Sequence, residues 1–350
     1  MSFIIKLLKS AVVKMLFIIL IIAFFASLYF CKGWYITQYN KVIGYYYVHQ
    51  GDKAYRERNY TKAVMNYRKA LSLYPGHYRA SWNLGNIYVS FENYYEAVNA
   101  YERALKYSPN FMVCRMDLGI ILAEELSDFD KAIQEYGRVT NSHPFPINIP
   151  FIISNKDSIQ TNKGLAYYNM GKAYRGKAVY MGDRTKIAYK YLRKAKESYE
   201  QAEKYLKNDY DNTFNLAFTN HLLGDYHDAA VKYCKAININ PESYEAHYNF
   251  GLLLRTMGQN DKALSELEKT TMLIDEMHTD EKNKAVYGLI TEIKRRIINN
   301  GDYDFLKERV DVTALSNKDI KYVNGKVVVT QKDSQIKELL KCPYTKEFEE

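Results

Sequence analysis

Proline and glycine are scarce, 7 and 17 of 350 residues, which excludes collagen-like and low-complexity chains. The four cysteines, Cys31, Cys114, Cys234 and Cys342, lie far apart, and none joins another cysteine or a histidine at metal-ligand spacing. No disulfide framework or zinc site can be read from them, and Cys114 and Cys234 fall in apolar helical stretches as small buried hydrophobes. A Gly-rich phosphate loop, a nucleophile elbow, an HExxH pair and a calcium loop are all missing, and the seven histidines read as packing or surface residues. The sequence therefore points to no enzyme, no cofactor and no metal. Acid is absent from residues 1–43, which carry Lys6, Lys9, Lys14, Lys32 and Lys41. More than half of the net charge of +9 thus sits in the first eighth of the chain; the rest mixes both signs, and nucleic acid is not the expected partner.

What is abundant is tyrosine, 34 residues, and one long apolar run. Met15 to Cys31 has no charge, and Val12 and Val13 extend it past Lys14, which can snorkel. The run is at the short end of a bilayer span, and Trp34 and Tyr35 follow where interfacial aromatics sit. A removable signal peptide would need a small-residue cleavage site that the run does not end in, and acylation of Cys31 would need small residues where Tyr29 and Phe30 stand. Lys6, Lys9 and Lys14 outweigh Lys32, so the expectation is an uncleaved anchor with its N-terminus in the cytoplasm and the rest on the extracytoplasmic side of a cell envelope.

Beyond the anchor the sequence repeats. The stretches ending at Pro75 and Pro109 superpose at a step of 34 residues, Ala63 with Ala97, Tyr67 with Tyr101, Ala70 with Ala104. The step recurs with one extra residue at Ala132, Tyr136 and Val139, then at Ala195, Tyr199 and Ala202, at Ala229, Tyr233 and Ala236, and in weakened form at Ala263 and Leu267. A small residue precedes each first alanine: Gly51, Gly85, Gly119, Gly171, Ala217, Gly251. Small residues let two antiparallel helices approach, the aromatic fills the gap, and proline ends the second helix. One such hairpin cannot bury its apolar face alone, so the units must stack.

This pattern resembles the tetratricopeptide repeat family over roughly residues 44–277. The expected fold is all-α: an N-terminal transmembrane helix, then a right-handed superhelical solenoid of about six helix hairpins with a C-terminal capping helix. The boundaries read as a basic segment 1–14, the anchor 15–31, a juxtamembrane linker 32–43, repeats one to three at 44–144, a Pro-rich apolar insert at 145–163, repeats four to six at 164–277, the cap at 278–300 and a tail at 301–350 with a weak β-hairpin signal. The insert reads either as a solvent-side loop or as a strap over the groove. The fourth repeat is longer by twelve residues, with a turn at Gly182 and Asp183.

The resemblance implies a concave groove lined by the first helix of each repeat, holding an extended peptide or a partner's helix. Two residues before the small position stand His49, Asn83, Asp117, Asn169, Asn215 and Asn249. A carboxamide can donate to and accept from a peptide backbone, so Asn83, Asn169, Asn215 and Asn249 are candidate binding residues, although asparagine there is also a structural choice. Asn86, Lys172, Arg175 and Arg255 complete the candidate groove, Lys172 with Arg175 as a positive spot. Trp82, Tyr168, Phe214 and Tyr248 read as groove anchors or inter-repeat core. The expected function is a membrane-tethered interaction scaffold for a membrane or envelope protein; a subunit docking through the insert and the long fourth repeat is the alternative. Homo-oligomerisation stays open.

Overall fold

The computed structural model describes residues 2–142, 156–182, 186–277, 281–298 and 340–349, and every regular element among them is helical. Two compact units emerge, Met1–Leu126 and Ser127–Glu350.

The first unit holds α1 (Ser2–Phe30), α2 (Lys32–Arg56), α3 (Tyr60–Leu73), α4 (Tyr78–Ser90), α5 (Tyr94–Tyr107) and α6 (Met112–Ile120). In α5, Ala97, Ala100, Tyr101, Ala104 and Leu105 recur every three or four residues and are all buried, so one stripe faces the core. The Asn93 side chain caps its start, as Asn59 caps α3 by accepting from the Lys62 N–H at 3.0 Å. Both helices stop just before Pro75 and Pro109, because the residue preceding a proline is biased out of the helical region. Glycine at the repeat position admits the tyrosine ring: a Cβ on Gly85 would stand 2.3 Å from Tyr101 Cε1, and one on Gly51 2.6 Å from Tyr67. The one extra residue of the third repeat is absorbed by a π turn, Ile121–Glu125, closed by the Leu126 N–H donating to the Ile121 carbonyl five residues back.

Two expectations for this unit change. Residues 32–43 are no separate linker: they are the first half of α2, which runs unbroken into the first repeat. No single helix among the described residues is long and apolar enough to cross a membrane; the pair Val13–Ser27 and Lys32–Arg56, bent by 71°, passes on length and composition together.

The second unit holds α7 (Phe129–Thr140), α8 (Lys156–Tyr180), α9 (Lys186–Glu203), α10 (Tyr210–Leu223), α11 (Tyr226–Ile239), α12 (Tyr244–Thr256), α13 (Asn260–Met277), α14 (Glu281–Ile298) and a terminal turn of helix, α15 (Thr345–Glu349). The long fourth repeat is there, α8 and α9 extended around Gly182 at φ +86°, and α8 starts at Lys156, inside the expected insert. The rest of the insert, residues 145–155, and the hairpin signal of the tail lie outside the described residues. The expected cap is present as α14, with Ile290 and Ile293 buried.

The cysteine reading is corrected in part. Cys234 is buried, as expected, but it is bonded to Cys342, 108 residues away. The bond holds the last described segment against α11, where the Cys342 N–H donates to Asn238 Oδ1 at 3.1 Å and Phe348 stacks edge-on against Phe250. Spacing could not show this pairing, because only the fold brings the two residues to a Cα separation of 5.2 Å.

Candidate functional site

In the first unit the candidate residues belong to a polar row built on the first helices. The Tyr67 ring lies flat on Gly51 and its hydroxyl donates to Asp52 Oδ1 at 2.7 Å. Asn83 on α4 donates from Nδ2 to the same Asp52 oxygen at 2.9 Å and to Tyr67 Oη at 3.1 Å. The next repeat reproduces the device, Tyr101 on Gly85 donating to Asn86 Oδ1 at 2.7 Å. Burial, then the bond to Asp52, pushes the Tyr67 phenol upward, so it stays a donor. Trp82 Nε1 donates to Asp117 Oδ2 at 2.6 Å; burial raises the Asp117 carboxyl, while that bond pulls it the other way. Asn83, Asn86, Trp82 and Asp117 are all half-buried and His49 is exposed, so the row keeps a face open.

In the second unit two of the three corresponding register positions, Asn215 and Asn249, are closed. Asn249 is fully buried, its Nδ2 donating to the Glu245 carbonyl at 2.8 Å within α12. Asn215 is buried and engaged at both ends: its Oδ1 accepts from Arg175 Nη1 at 2.6 Å and its Nδ2 donates to the Asp211 carbonyl at 2.7 Å. Arg175 is itself buried, its guanidinium 5.4 Å from the centre of the Phe218 ring. These three are internal ties and not groove contacts, because a ligand would have to displace bonds already made inside the protein. Asn169 and Lys172 on α8 are half-buried, Lys172 Nζ lying 5.9 Å above the Tyr168 ring, and Arg255 is half-buried at the end of α12. The aromatic anchors divide the same way: Phe214 and Tyr248 are core.

A buried polar lock went unseen in the sequence. His247 and Glu266 are both fully buried, Nδ1 and Oε2 2.6 Å apart, and His247 Nε2 lies 3.0 Å from the Pro241 carbonyl. Lys269 Nζ also reaches Glu266 Oε1, at 2.7 Å. The nineteen-residue spacing of the lock spans two helices and resembles no motif. Among the described residues no group of three His, Cys, Asp or Glu side chains could hold a metal ion.

Tetratricopeptide repeat models match residues 49–110 and 85–142, and a second model of the same description matches residues 233–265. Among solved structures, PilW, described as a widely conserved type IV pilus biogenesis factor, shares 13% identity and a TM-score of 0.51, over 70% of this chain and 98% of its own. PilF of Pseudomonas aeruginosa matches at 17% identity and TM-score 0.49, over 67% of this chain and 93% of its own. MamA matches at 20% identity and TM-score 0.43, over 55% of this chain and 95% of its own. The family models and the likeness to PilW agree with the helices described above: this is an all-α array of tetratricopeptide-type hairpins.

Proposed function

We propose that this chain is a membrane-tethered protein–protein interaction scaffold that takes an extended peptide or a helix of a membrane or envelope protein on the open polar row of its first repeats. The observation that carries the reading is the half-buried row of Trp82, Asn83, Asn86 and Asp117, with His49 exposed beside it. Asn83 Nδ2 is tied to Asp52 and the Tyr67 hydroxyl and Asn86 Oδ1 to the Tyr101 hydroxyl, so the carboxamide atoms outside those bonds, Asn83 Oδ1 and Asn86 Nδ2, are held in place to meet a backbone whatever its side chains. The tether is supported by α1, whose described apolar side chains face outward on every side, Leu20 67% and Phe25 63% exposed. A helix apolar all round needs an apolar surrounding, and a bilayer supplies one. The Cys234–Cys342 bond supports an oxidising, extracytoplasmic setting for the repeats, in keeping with Lys6, Lys9 and Lys14 ahead of the apolar run.

The test is an in-cell crosslinking pull-down read by mass spectrometry. Full-length protein is compared with a variant carrying His49→Ala and Asn83→Ala and with another carrying Asn169→Ala and Lys172→Ala, circular dichroism confirming that each folds. Loss of a membrane or envelope partner in the first variant alone supports the reading; loss in the second alone, or in neither, overturns it. An alkaline phosphatase fusion at the C-terminus tests the orientation, since the enzyme matures only in an oxidising compartment.

The second reading, a subunit docking through the long fourth repeat, is favoured by the hairpin tip. Val179, Tyr180, Met181 and Ile187 are exposed there. A cleft of about 560 Å³ opens further along α9, lined by Tyr189, Arg193, Glu197 and Leu223 among others. Tyr180→Asp with Ile187→Asp removes the partner if this surface holds it and leaves it bound if the polar row does.

A further inference from the structure

The first half of α2 carries a second exposed surface, one that the repeat array does not use. Gly44 and Val48 face inward and are buried, Gly44 against the His77 ring. On the opposite side Tyr35, Tyr39, Val42 and Tyr46 follow one another at steps of four, three and four residues, the spacing of a single helical face, and all are exposed, Tyr39 and Val42 each by 66%. No acidic residue precedes Asp52, and Lys32 stands at the start of this stretch, whereas Lys41 turns the other way, its Nζ 5.7 Å from the centre of the Tyr74 ring. Three tyrosines suit the depth where an apolar ring body and a polar tip are both satisfied; a stripe meant for a dry protein core would carry leucine or phenylalanine.

Two geometric facts orient the stripe. The axis of α2 leaves that of α1 at 71°. The Tyr35 hydroxyl lies 2.9 Å from Ser27 Oγ of α1, so the face bearing the stripe is the one on the inside of the bend. If α1 crosses a bilayer near its normal, α2 runs nearly in the membrane plane with the stripe turned toward the lipid that surrounds α1.

From this we propose that residues 34–46 of α2 form an interfacial helix, seated through Tyr35, Tyr39, Val42 and Tyr46 in the headgroup layer of an anionic membrane, with Lys32 on the lipid phosphates. The inference rests on the reading of α1 as a membrane anchor. It fixes how the repeats are presented: they begin on a helix lying along the surface, so the polar row stands at a set height and angle to the bilayer instead of on a free tether.

The experiment uses full-length protein reconstituted in vesicles of phosphatidylcholine and phosphatidylglycerol that contain lipid brominated near the headgroup end of its acyl chains. Trp34→Phe and Trp82→Phe remove both native tryptophans, and single probes are placed by Tyr39→Trp, Tyr46→Trp, Phe24→Trp in α1 and Tyr95→Trp on the exposed side of α5. Where Trp82→Phe impairs folding, Trp82 is retained as a constant background. The expected result is at least a one-third loss of emission to bromolipid from the probes at positions 24, 39 and 46 and none from position 95, with Lys32→Gln or omission of phosphatidylglycerol weakening the signal at 39 and 46 only. Quenching at 24 alone, with 39 and 46 as open to aqueous acrylamide as 95, overturns the interfacial helix and leaves the anchor standing. No quenching at 24 overturns the anchor itself. Probes at 39 and 46 shielded from both quenchers mean that a protein covers the stripe, which also overturns the proposal.

Discussion

The two units use one repeat and differ at the position after its small residue. In the first two repeats of the first unit that position holds Asp52 and Asn86, and each takes the hydroxyl of the tyrosine packed on the preceding glycine. In the second unit the same position holds Lys172 or Phe218, neither an acceptor, and the buried hydroxyls of Tyr199 and Tyr233 meet no acceptor among the described residues. The first unit therefore gains its order from a polar row that stays half open. The second closes over Asn215 and Asn249 and relies on other ties: Arg175 with Asn215, His247 with Glu266, Glu203 between Lys232 and Lys235, and a disulfide. Repeat sequence alone does not make a binding face; what stands beside the glycine decides whether the face remains available.

The disulfide is where the two units should part most widely. It closes a loop of 108 residues, and loop-closure entropy puts its contribution at about 5 kcal/mol. Cys342→Ser should raise amide exchange in α11 and α12 strongly and leave α3 and α5 unchanged, read peptide by peptide by mass spectrometry. Unchanged exchange in α11 would mean that the bond adds nothing to the fold of the second unit.

Acid should separate them next. Burial pushes His221 on α10 down to about 3, so below the ordinary histidine value near 6.5 the unfolded chain binds a proton that the folded unit refuses. Stability from this group is complete above pH 6.5 and falls as pH falls, by about 1.4 kcal/mol per unit, or about 3 kcal/mol by pH 4.5. Asp211 and Glu245, whose carboxyls burial raises, work in the opposite sense, because the folded unit takes up their protons first. The readout is therefore the difference between the chain and His221→Phe in urea midpoints at pH 7.5 and 4.5, followed by tyrosine near-UV dichroism. Trp34 and Trp82 both lie in the first unit, so their fluorescence reports on that unit alone. His77 is also pushed down by burial, so the first unit shifts in the same direction. An identical midpoint shift in His221→Phe would clear His221 as the cause.

Much of this architecture was legible in the residues. Alanine, tyrosine and proline at a fixed step set the hairpins, and the extra residue before Ala132 announced a local defect that the fold resolves as a π turn. The candidate site was legible only by half, for a physical reason: Asn83 and Asn249 occupy equivalent positions, yet one is half open and the other sealed, and what covers an asparagine belongs to neighbouring helices, not to its own register. The Cys234–Cys342 contact is likewise a product of chain return across 108 residues. The helical course of residues 32–43 was missed because the repeat gives no register ahead of Gly44.

The tyrosine hydroxyls sharpen the comparison directly. Tyr101→Phe removes a bond to Asn86 and leaves that carboxamide oxygen without its donor, at a cost of about 1 kcal/mol. Tyr199→Phe removes a buried hydroxyl that has no acceptor among the described residues and should be neutral or stabilising by up to about 1 kcal/mol. Urea titrations of the two variants, followed by Trp82 emission and by tyrosine dichroism respectively, give the sign. Equal losses in both would dissolve the distinction between the units.

The smallest effect concerns the turn that joins the two helices of a repeat. Each described turn reverses through one residue in the left-handed region: Arg58 at φ 58°, Glu92 at 57° and Ser127 at 54° in the early repeats, Gly224 at 83° and Gly258 at 77° in the late ones. For a residue with a Cβ that conformation brings Cβ against the following carbonyl, whereas glycine has no such contact. The late repeats have relieved a strain that the early ones retain. Arg58→Gly and Glu92→Gly should each stabilise the first unit by about 0.5 kcal/mol, the local relief being offset in part by the greater freedom of glycine in the unfolded chain. Gly224→Ala and Gly258→Ala should each destabilise the second by about 1 kcal/mol. Thermal melts of the four variants decide it: a loss in both glycine replacements of the first unit would mean that the Arg58 and Glu92 side chains contribute more to the turn than their backbone geometry costs.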